Sequence, residues 1–352
     1  MTLDRQYGLS DFDYELPPEL IAQTPIEERS ASRLLVVRQA GPPGGGRPTL
    51  EDLIFSDLLS LIPAGDLLAL NTSRVRHARL IGRRPSGATA EVLLIRPTGD
   101  GTWLALGKPG SALQPDKRIQ LDEAAWVETV EVLPDGYRRV LIVGVTAEDA
   151  MRRLGRVPLP PYIAREPVAA DAVRYQTVYA KREGSVAAPT AGLHFTDELL
   201  DALSTKGVVI AGLDLEVGPG TFKPVEAEPI ERHQMHAERY DIPDRLAALA
   251  GEVRRRGGRI WAVGTTVVRA LESAADADGV VRAGPGETSL LILPGYRFRV
   301  VERLITNFHL PRSTLLMLVS AFAGHEAMRA AYAHAIRKRY RFYSYGDAMV
   351  VI

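Results

Sequence analysis

The 352-residue chain contains no cysteine. That one absence removes disulfides, thiolate zinc sites, iron–sulfur clusters and thiol nucleophiles together. An excess of charge is missing too: 43 basic residues balance 43 acidic ones, so a polyanion has to be met by a local patch and not by a general field. No stretch approaches the roughly 18 consecutive apolar residues of a membrane span, and the amino-terminal MTLDRQYGLSDFDYELPPEL lacks a basic segment leading into an apolar one. The expectation is a soluble, cytoplasmic protein, a monomer that meets no membrane. Nucleotide fingerprints are also lacking. The Gly218 turn has no G-x-G-x-x-G and no G-x-x-x-x-G-K-[ST] occurs, which argues against a Rossmann dinucleotide site and a P-loop.

What is present is a chain long enough for two domains, or for one domain with a large insertion. The first 70 residues read as mixed α/β, with a helical start at Leu16-Pro17-Pro18-Glu19, a strand at 33–37, a Gly/Pro loop GPPGGGRP and a strand at 66–70. From 74 to 145 the texture changes to short β-branched runs, among them ATAEVLLIR, TWLALG and YRRVLIVGV, separated by the turns PTGDG, KPGS and LPDG. About five strands at this spacing predict a small antiparallel barrel or sandwich. Helices and strands then alternate, with Thr146 and Thr196 placed as helix caps. The fold class expected is a layered α/β main domain (1–73 and 146–352) interrupted by a small antiparallel β-barrel (74–145).

Ligands of open α/β sheets favour the crevice beyond the carboxyl ends of strands. Three such ends carry small or polar residues: Val217-Gly218-Pro219-Gly220-Thr221-Phe222, Gly264-Thr265-Thr266 and Thr306-Asn307-Phe308-His309. Each either offers amides and hydroxyls to a polar ligand or merely turns the chain. In SVAAPTAGLHFT, small residues 188–193 deliver His194 just before the helix capped by Thr196; the imidazole either handles protons or is satisfied by neighbouring carbonyls. Alternation puts Asp214 and Glu216 on one face of their strand, where they face water or, for Glu216, act as a base. His233 and His236, with Glu238, lack a third ligand at zincin spacing, so they read as surface or substrate-facing histidines and no metal is expected. Basic residues gather at 74–84, 254–259 and 337–345. In the last, arginines interleave with Tyr340, Phe342, Tyr343 and Tyr345, a mixture that suits phosphate contact with base stacking.

Taken in order, FDYELPPELIAQTPIEERSASRLL, LPPYI, YQTVYA, SVAAPTAGLHFT, VGPGTFKPV, AVGTTVVRALES, TNFHLPRSTLLMLVSAFAG and YRFYSYGDAM resemble the signature blocks of the S-adenosylmethionine:tRNA ribosyltransferase-isomerases of queuosine biosynthesis. The resemblance runs from about residue 11 to the carboxyl terminus. It implies an α/β domain interrupted by a small barrel. It also implies transfer and isomerisation of the ribosyl group of S-adenosylmethionine onto 7-aminomethyl-7-deazaguanine at the tRNA wobble position, giving epoxyqueuosine, adenine and methionine. The partners implied are tRNA carrying the precursor base and S-adenosylmethionine as substrate, with no further cofactor.

The sulfonium acidifies the ribose C5′ protons, so a base is wanted there and a donor for departing adenine. The candidates are His194, Glu216, His236 and His309. Residues assigned to S-adenosylmethionine are Thr190, Gly192, Phe195, Gly218, Gly220, Thr221, Gly264, Thr265, Thr266, Arg269 and Asn307. Two positions depart from the family pattern: Ser73 in Leu70-Asn71-Thr72-Ser73-Arg74-Val75, and Glu216 where a histidine is usual. They leave open a tRNA-binding protein of this fold without turnover. An S-adenosylmethionine-dependent methyltransferase is the other alternative.

Overall fold

The computed structural model describes residues 7–39, 48–218, 220 and 225–352. Thr221, assigned above to substrate binding, lies outside them. The described strands are β1 (Arg33–Arg38), β2 (Thr49–Ile54), β3 (Leu67–Asn71), β4 (Ser73–Val75), β5 (Arg79–Arg83), β6 (Thr89–Pro97), β7 (Trp103–Lys108), β8 (Arg118–Gln120), β9 (Trp126–Val132), β10 (Arg138–Val143), β11 (Arg182–Ser185), β12 (Val209–Leu215), β13 (Glu238–Ile242), β14 (Ile260–Val263), β15 (Gly284–Thr288), β16 (Arg303–Asn307) and β17 (Ala348–Val351).

Nine of these form one sheet in the order β15-β13-β12-β3-β14-β16-β17-β1-β2. Its centre, β12, β3, β14 and β16, is parallel. A parallel centre is covered on both faces, so its strands read as continuous apolar runs. Strand alternation assigns successive residues to opposite cores. Leu67 and Ala69 of β3 join Ile260 and Ala262 of β14 in one core, while Leu68 and Leu70 join Trp261 and Val263 in the other. The helices Asp244–Arg255, Thr265–Ala274, Thr314–Ala323 and His325–Arg337 fill the first core. The helix Asp197–Lys206 covers the second through Leu199 and Leu203.

The six strands β5 to β10 close into a barrel in the order β10-β7-β6-β5-β8-β9. Leu80, Val92, Ala105, Ile119, Val127 and Val140 alternate into its interior. The helix Ala147–Leu154 plugs it with Ala150 and Met151. Arg74 and Val75, read as part of the barrel run, instead belong to β4, which pairs in parallel with β11 outside it. The departing Ser73 is accommodated there, since its buried hydroxyl shares a 2.7 Å hydrogen bond with the Ser185 hydroxyl.

Both expected caps form: Thr146 Oγ1 accepts from the Asp149 amide at 3.1 Å and Thr196 Oγ1 from the Leu199 amide at 3.2 Å. Two expectations need correction. Leu16 to Glu19 opens no α-helix; a 3₁₀ turn spans Pro18–Leu20, because each proline pushes the residue before it out of the α region. The aromatics of 337–345 form no surface exposed to solvent. Tyr340, Phe342, Tyr343 and Tyr345 are all buried, and Arg341 donates to the Thr24 carbonyl.

Candidate functional site

The carboxyl ends of β3, β12, β14 and β16 meet at one rim, where two cavities share Val217 as a common wall. The inner slot, about 60 Å³, is lined by Ala188, Thr190, Gly264, Thr265, Thr266 and, on the far side, Asn307 and His309. At ~10–15 Å³ per water centre it has room for about five waters, the bulk of a single flat ring. The outer cleft, about 580 Å³, falls within the ~300–1,000 Å³ of small-molecule sites. Glu216, Gly218, Gly220, His236, Glu238 and Arg269 line its sheet side, and Arg96, Asp135 and Tyr137 of the barrel line the other.

His194 opens on neither cavity. Its ring lies stacked on Phe55, with centroids 4.9 Å apart. Nδ1 is 2.7 Å from Ser32 Oγ, and Nε2 is 3.1 Å from Asn307 Nδ2. The tautomer follows from Asn307. Its Nδ2 donates one hydrogen to the Tyr343 carbonyl at 3.1 Å, with the Asp347 carbonyl farther off at 3.5 Å, which identifies it as the amide NH₂ and leaves its second hydrogen for His194. His194 Nε2 is therefore the acceptor, and Nδ1 carries the hydrogen donated to Ser32. Burial, then the Arg29 and Arg341 charges, push the imidazole down to about 3, so it is neutral at physiological pH. The amide thus fixed leaves Asn307 Oδ1 buried without a partner.

Of the other residues around SVAAPTAGLHFT, Thr190 lines the slot. Gly192 and Phe195 line neither cavity. A Cβ at Gly192 would come within 2.0 Å of Tyr179 Oη, so the glycine makes room for a tyrosine; Phe195 packs edge-on against Phe55. His309 does line the slot. Its Nε2 shares a 2.7 Å hydrogen bond with Thr306 Oγ1, its amide donates to Tyr332 Oη at 2.8 Å, and burial pushes it down to about 3.

In the outer cleft Glu216 projects its carboxylate with no hydrogen bond or ion pair to any described residue. Asp214, one pleat back, instead accepts from Thr72 Oγ1 at 2.7 Å and lies 3.6 Å from Arg182. Arg269 and Glu238 form an ion pair only 2% and 5% exposed. Arg269 also donates to the Leu290 and Thr288 carbonyls, and Glu238 accepts from the Gly218 amide at 3.2 Å. The pair thereby braces the start of the Gly218 turn. His236 meets Tyr137 edge-to-face at 5.7 Å; a Cβ at Gly220 would come within 2.8 Å of the His236 ring. Among the described residues no group of three or more histidines or carboxylates is arranged to hold a metal ion.

Sequence reasoning overlooked Arg96, Asp135 and Tyr137 as cleft residues. They sit about 80 to 140 positions before the main-domain residues they face, and nothing short of the packing of barrel against sheet reveals the pairing.

A sheet with a parallel centre, presenting a slot and a cleft at its strand ends and roofed by an inserted barrel, has the architecture of an α/β enzyme. The chain belongs to the queuosine biosynthesis protein family, whose model matches residues 9–351. It is similar to the S-adenosylmethionine:tRNA ribosyltransferase-isomerase of Cupriavidus pinatubonensis, 52% identical over 346 residues, covering 97% of this chain and 98% of that one. The enzyme of the same name from Symbiobacterium thermophilum is 50% identical over 348 residues, covering 98% and 99%. A crystal structure of S-adenosylmethionine tRNA ribosyltransferase from Thermotoga maritima is 37% identical, covers 97% of this chain and 100% of its own, and superposes with a TM-score of 0.55. No helix among the described residues is long and apolar enough to cross a membrane.

Proposed function

We propose that this chain transfers and isomerises the ribosyl group of S-adenosylmethionine onto the 7-aminomethyl-7-deazaguanine base at the wobble position of tRNA, releasing adenine and methionine. The site observation that carries this reading is the pair of cavities meeting at Val217: a ring-sized slot beside a large cleft holding a carboxylate that none of the described residues pairs. The slot suits the adenine ring, and the cleft suits the cationic sulfonium with the incoming base.

Glu216 is the proton acceptor in this proposal. A carboxylate attracts the sulfonium and sits where the C5′ proton is acidified, and the ylide that results opens the ribose and expels adenine. His194 and His309, held near 3, are weak bases. His309 acts as a neutral hydrogen-bond partner in the slot, and His194 positions Asn307. The Gly218 amide is held in place by Glu238, and Thr265 and Thr266 offer hydroxyls at a helix entrance.

The test incubates the protein with S-adenosylmethionine and tRNA bearing the precursor base. Adenine and methionine are the expected products. S-adenosylhomocysteine would mean a methyltransferase, and binding without any product would mean an RNA-binding protein. Glu216→Gln is expected to lower turnover by roughly 10²-fold or more while leaving S-adenosylmethionine affinity within a few-fold. Near-normal turnover would remove Glu216 from the role.

A further inference from the structure

Strict alternation would send Ile95 and Arg96 of β6 to opposite faces of the barrel wall. Both line the outer cleft, because the pairing of β6 with β7 shifts register between Leu94 and Arg96. Such a bulge re-aims side chains. Leu94 stays in the barrel core while Ile95 joins Tyr137 and Val186 in a separate apolar cluster at the mouth of the cleft. Arg96 follows them there, half-buried.

The other guanidinium groups of that cleft are committed. Arg269 is held by Glu238 and two carbonyls, and Arg239 lies 3.0 Å from Glu287. The Arg96 guanidinium has no hydrogen bond or ion pair to any described residue. A guanidinium half-withdrawn from water and paired by none of the described residues calls for an anion from outside the chain, and its planar fork fits a phosphate. Beside it stands Tyr137, 6% exposed and the one benzenoid ring among the described residues lining this cleft, so a base reaches its face only by displacing the His236 ring that abuts it. The hairpin turn holds it in place. The Leu133 amide donates to the Tyr137 carbonyl at 2.9 Å and the Tyr137 amide to Asp135 Oδ1 at 3.1 Å. Its ring meets the His236 ring nearly at right angles.

We infer that the barrel wall is the RNA side of the site: Arg96 takes a phosphate of a single-stranded anticodon loop, and Tyr137 is the platform on which the extruded wobble base stacks. This rests on the tRNA-modifying reading above. A base that is to react must leave its neighbours in the loop, and unstacked RNA bases are received on aromatic faces. A base entering between Tyr137 and His236 replaces their edge-to-face contact with stacking.

The experiment uses the full chain and an anticodon stem-loop RNA with 2-aminopurine at the wobble position. Arg96→Gln is expected to weaken RNA binding about 5-fold and to lower the slope of log K against log salt by about 0.7, with S-adenosylmethionine affinity unchanged. Tyr137→Phe is expected to keep the fluorescence quenching seen with the wild type. Tyr137→Leu, which keeps apolar packing, is expected to lose most of that quenching and raise KM for RNA roughly 10-fold, with KM for S-adenosylmethionine unmoved. An unchanged salt slope in Arg96→Gln, or undiminished quenching in Tyr137→Leu, overturns the inference. Should Tyr137→Leu not fold, the salt slope of Arg96→Gln decides alone. Wild-type adenine release is measured alongside. If adenine is released while the variants behave as wild type, only this inference falls; if none is released, the functional reading falls and takes this one with it.

Discussion

His194 shows how an imidazole next to a site can be removed from proton chemistry. Both ring nitrogens are engaged, one donating to Ser32 and one accepting from Asn307, and burial holds the group near 3 against an ordinary 6.5. His309 is depressed in the same way. For a group depressed on folding, the unfolded chain binds the extra proton, so stability is full above the unfolded pKa and is lost as pH falls from about 6.5 toward 3. Each histidine should therefore cost about 2 kcal/mol of stability on going from neutral pH to pH 5. Urea unfolding of the wild type and of His194→Gln at both pH values checks this. The variant should show the smaller pH dependence, and equal dependence would mean that His194 is protonatable in the folded chain.

At the scale of elements, function depends on how strand ends and helix entrances are finished. The helix that follows SVAAPTAGLHFT is fixed by Thr196, whose hydroxyl accepts from the Leu199 amide, and it ends at Gly207 with φ of 98°, a conformation glycine adopts without strain. Thr196→Ala should cost about 1 kcal/mol in urea unfolding. It should leave the KM values unchanged, since Thr196 lines neither cavity. The β-bulge in β6 is the comparable device in the barrel. Without the shifted register at Leu94 to Arg96, Arg96 and Ile95 could not share the cleft wall.

For the whole molecule, the balance of 43 positive and 43 negative charges leaves recognition of a polyanion to local groups, and the site divides between two bodies of structure. The slot belongs wholly to the α/β part, whereas the outer cleft has a barrel wall and a sheet wall. Ligands should accordingly protect different regions. S-adenosylmethionine at about 100 times its Kd should stabilise the protein by about 2.7 kcal/mol and slow amide exchange around Gly264 to Thr266 and Thr306 to His309. RNA should add protection in the barrel turn from Leu133 to Tyr137. Hydrogen exchange with each ligand separately checks the division; RNA protection confined to the α/β part would contradict it.

The sequence by itself determined the mixed fold, the barrel insertion and the strand ends that carry the site. It did so because apolar periodicity, turn residues and caps such as Thr146 and Thr196 act over a few residues. It also singled out Glu216, Thr190, Thr265 and Asn307, which line the two cavities. It misplaced Tyr340, Phe342, Tyr343 and Tyr345, since a stretch alternating arginine with aromatics looks the same in sequence whether its rings face solvent or, as here, the core. Only the tertiary structure decided that His194 stands behind the slot with its tautomer set by Asn307, that Gly192 makes room for Tyr179, and that Arg96 and Tyr137 of the barrel face Glu216 and His236. Apart from the Gly192–Tyr179 contact, those outcomes depend on contacts between segments about 80 to 160 residues apart, and burial, charge pairing and ring packing across such distances have no local signature in the chain.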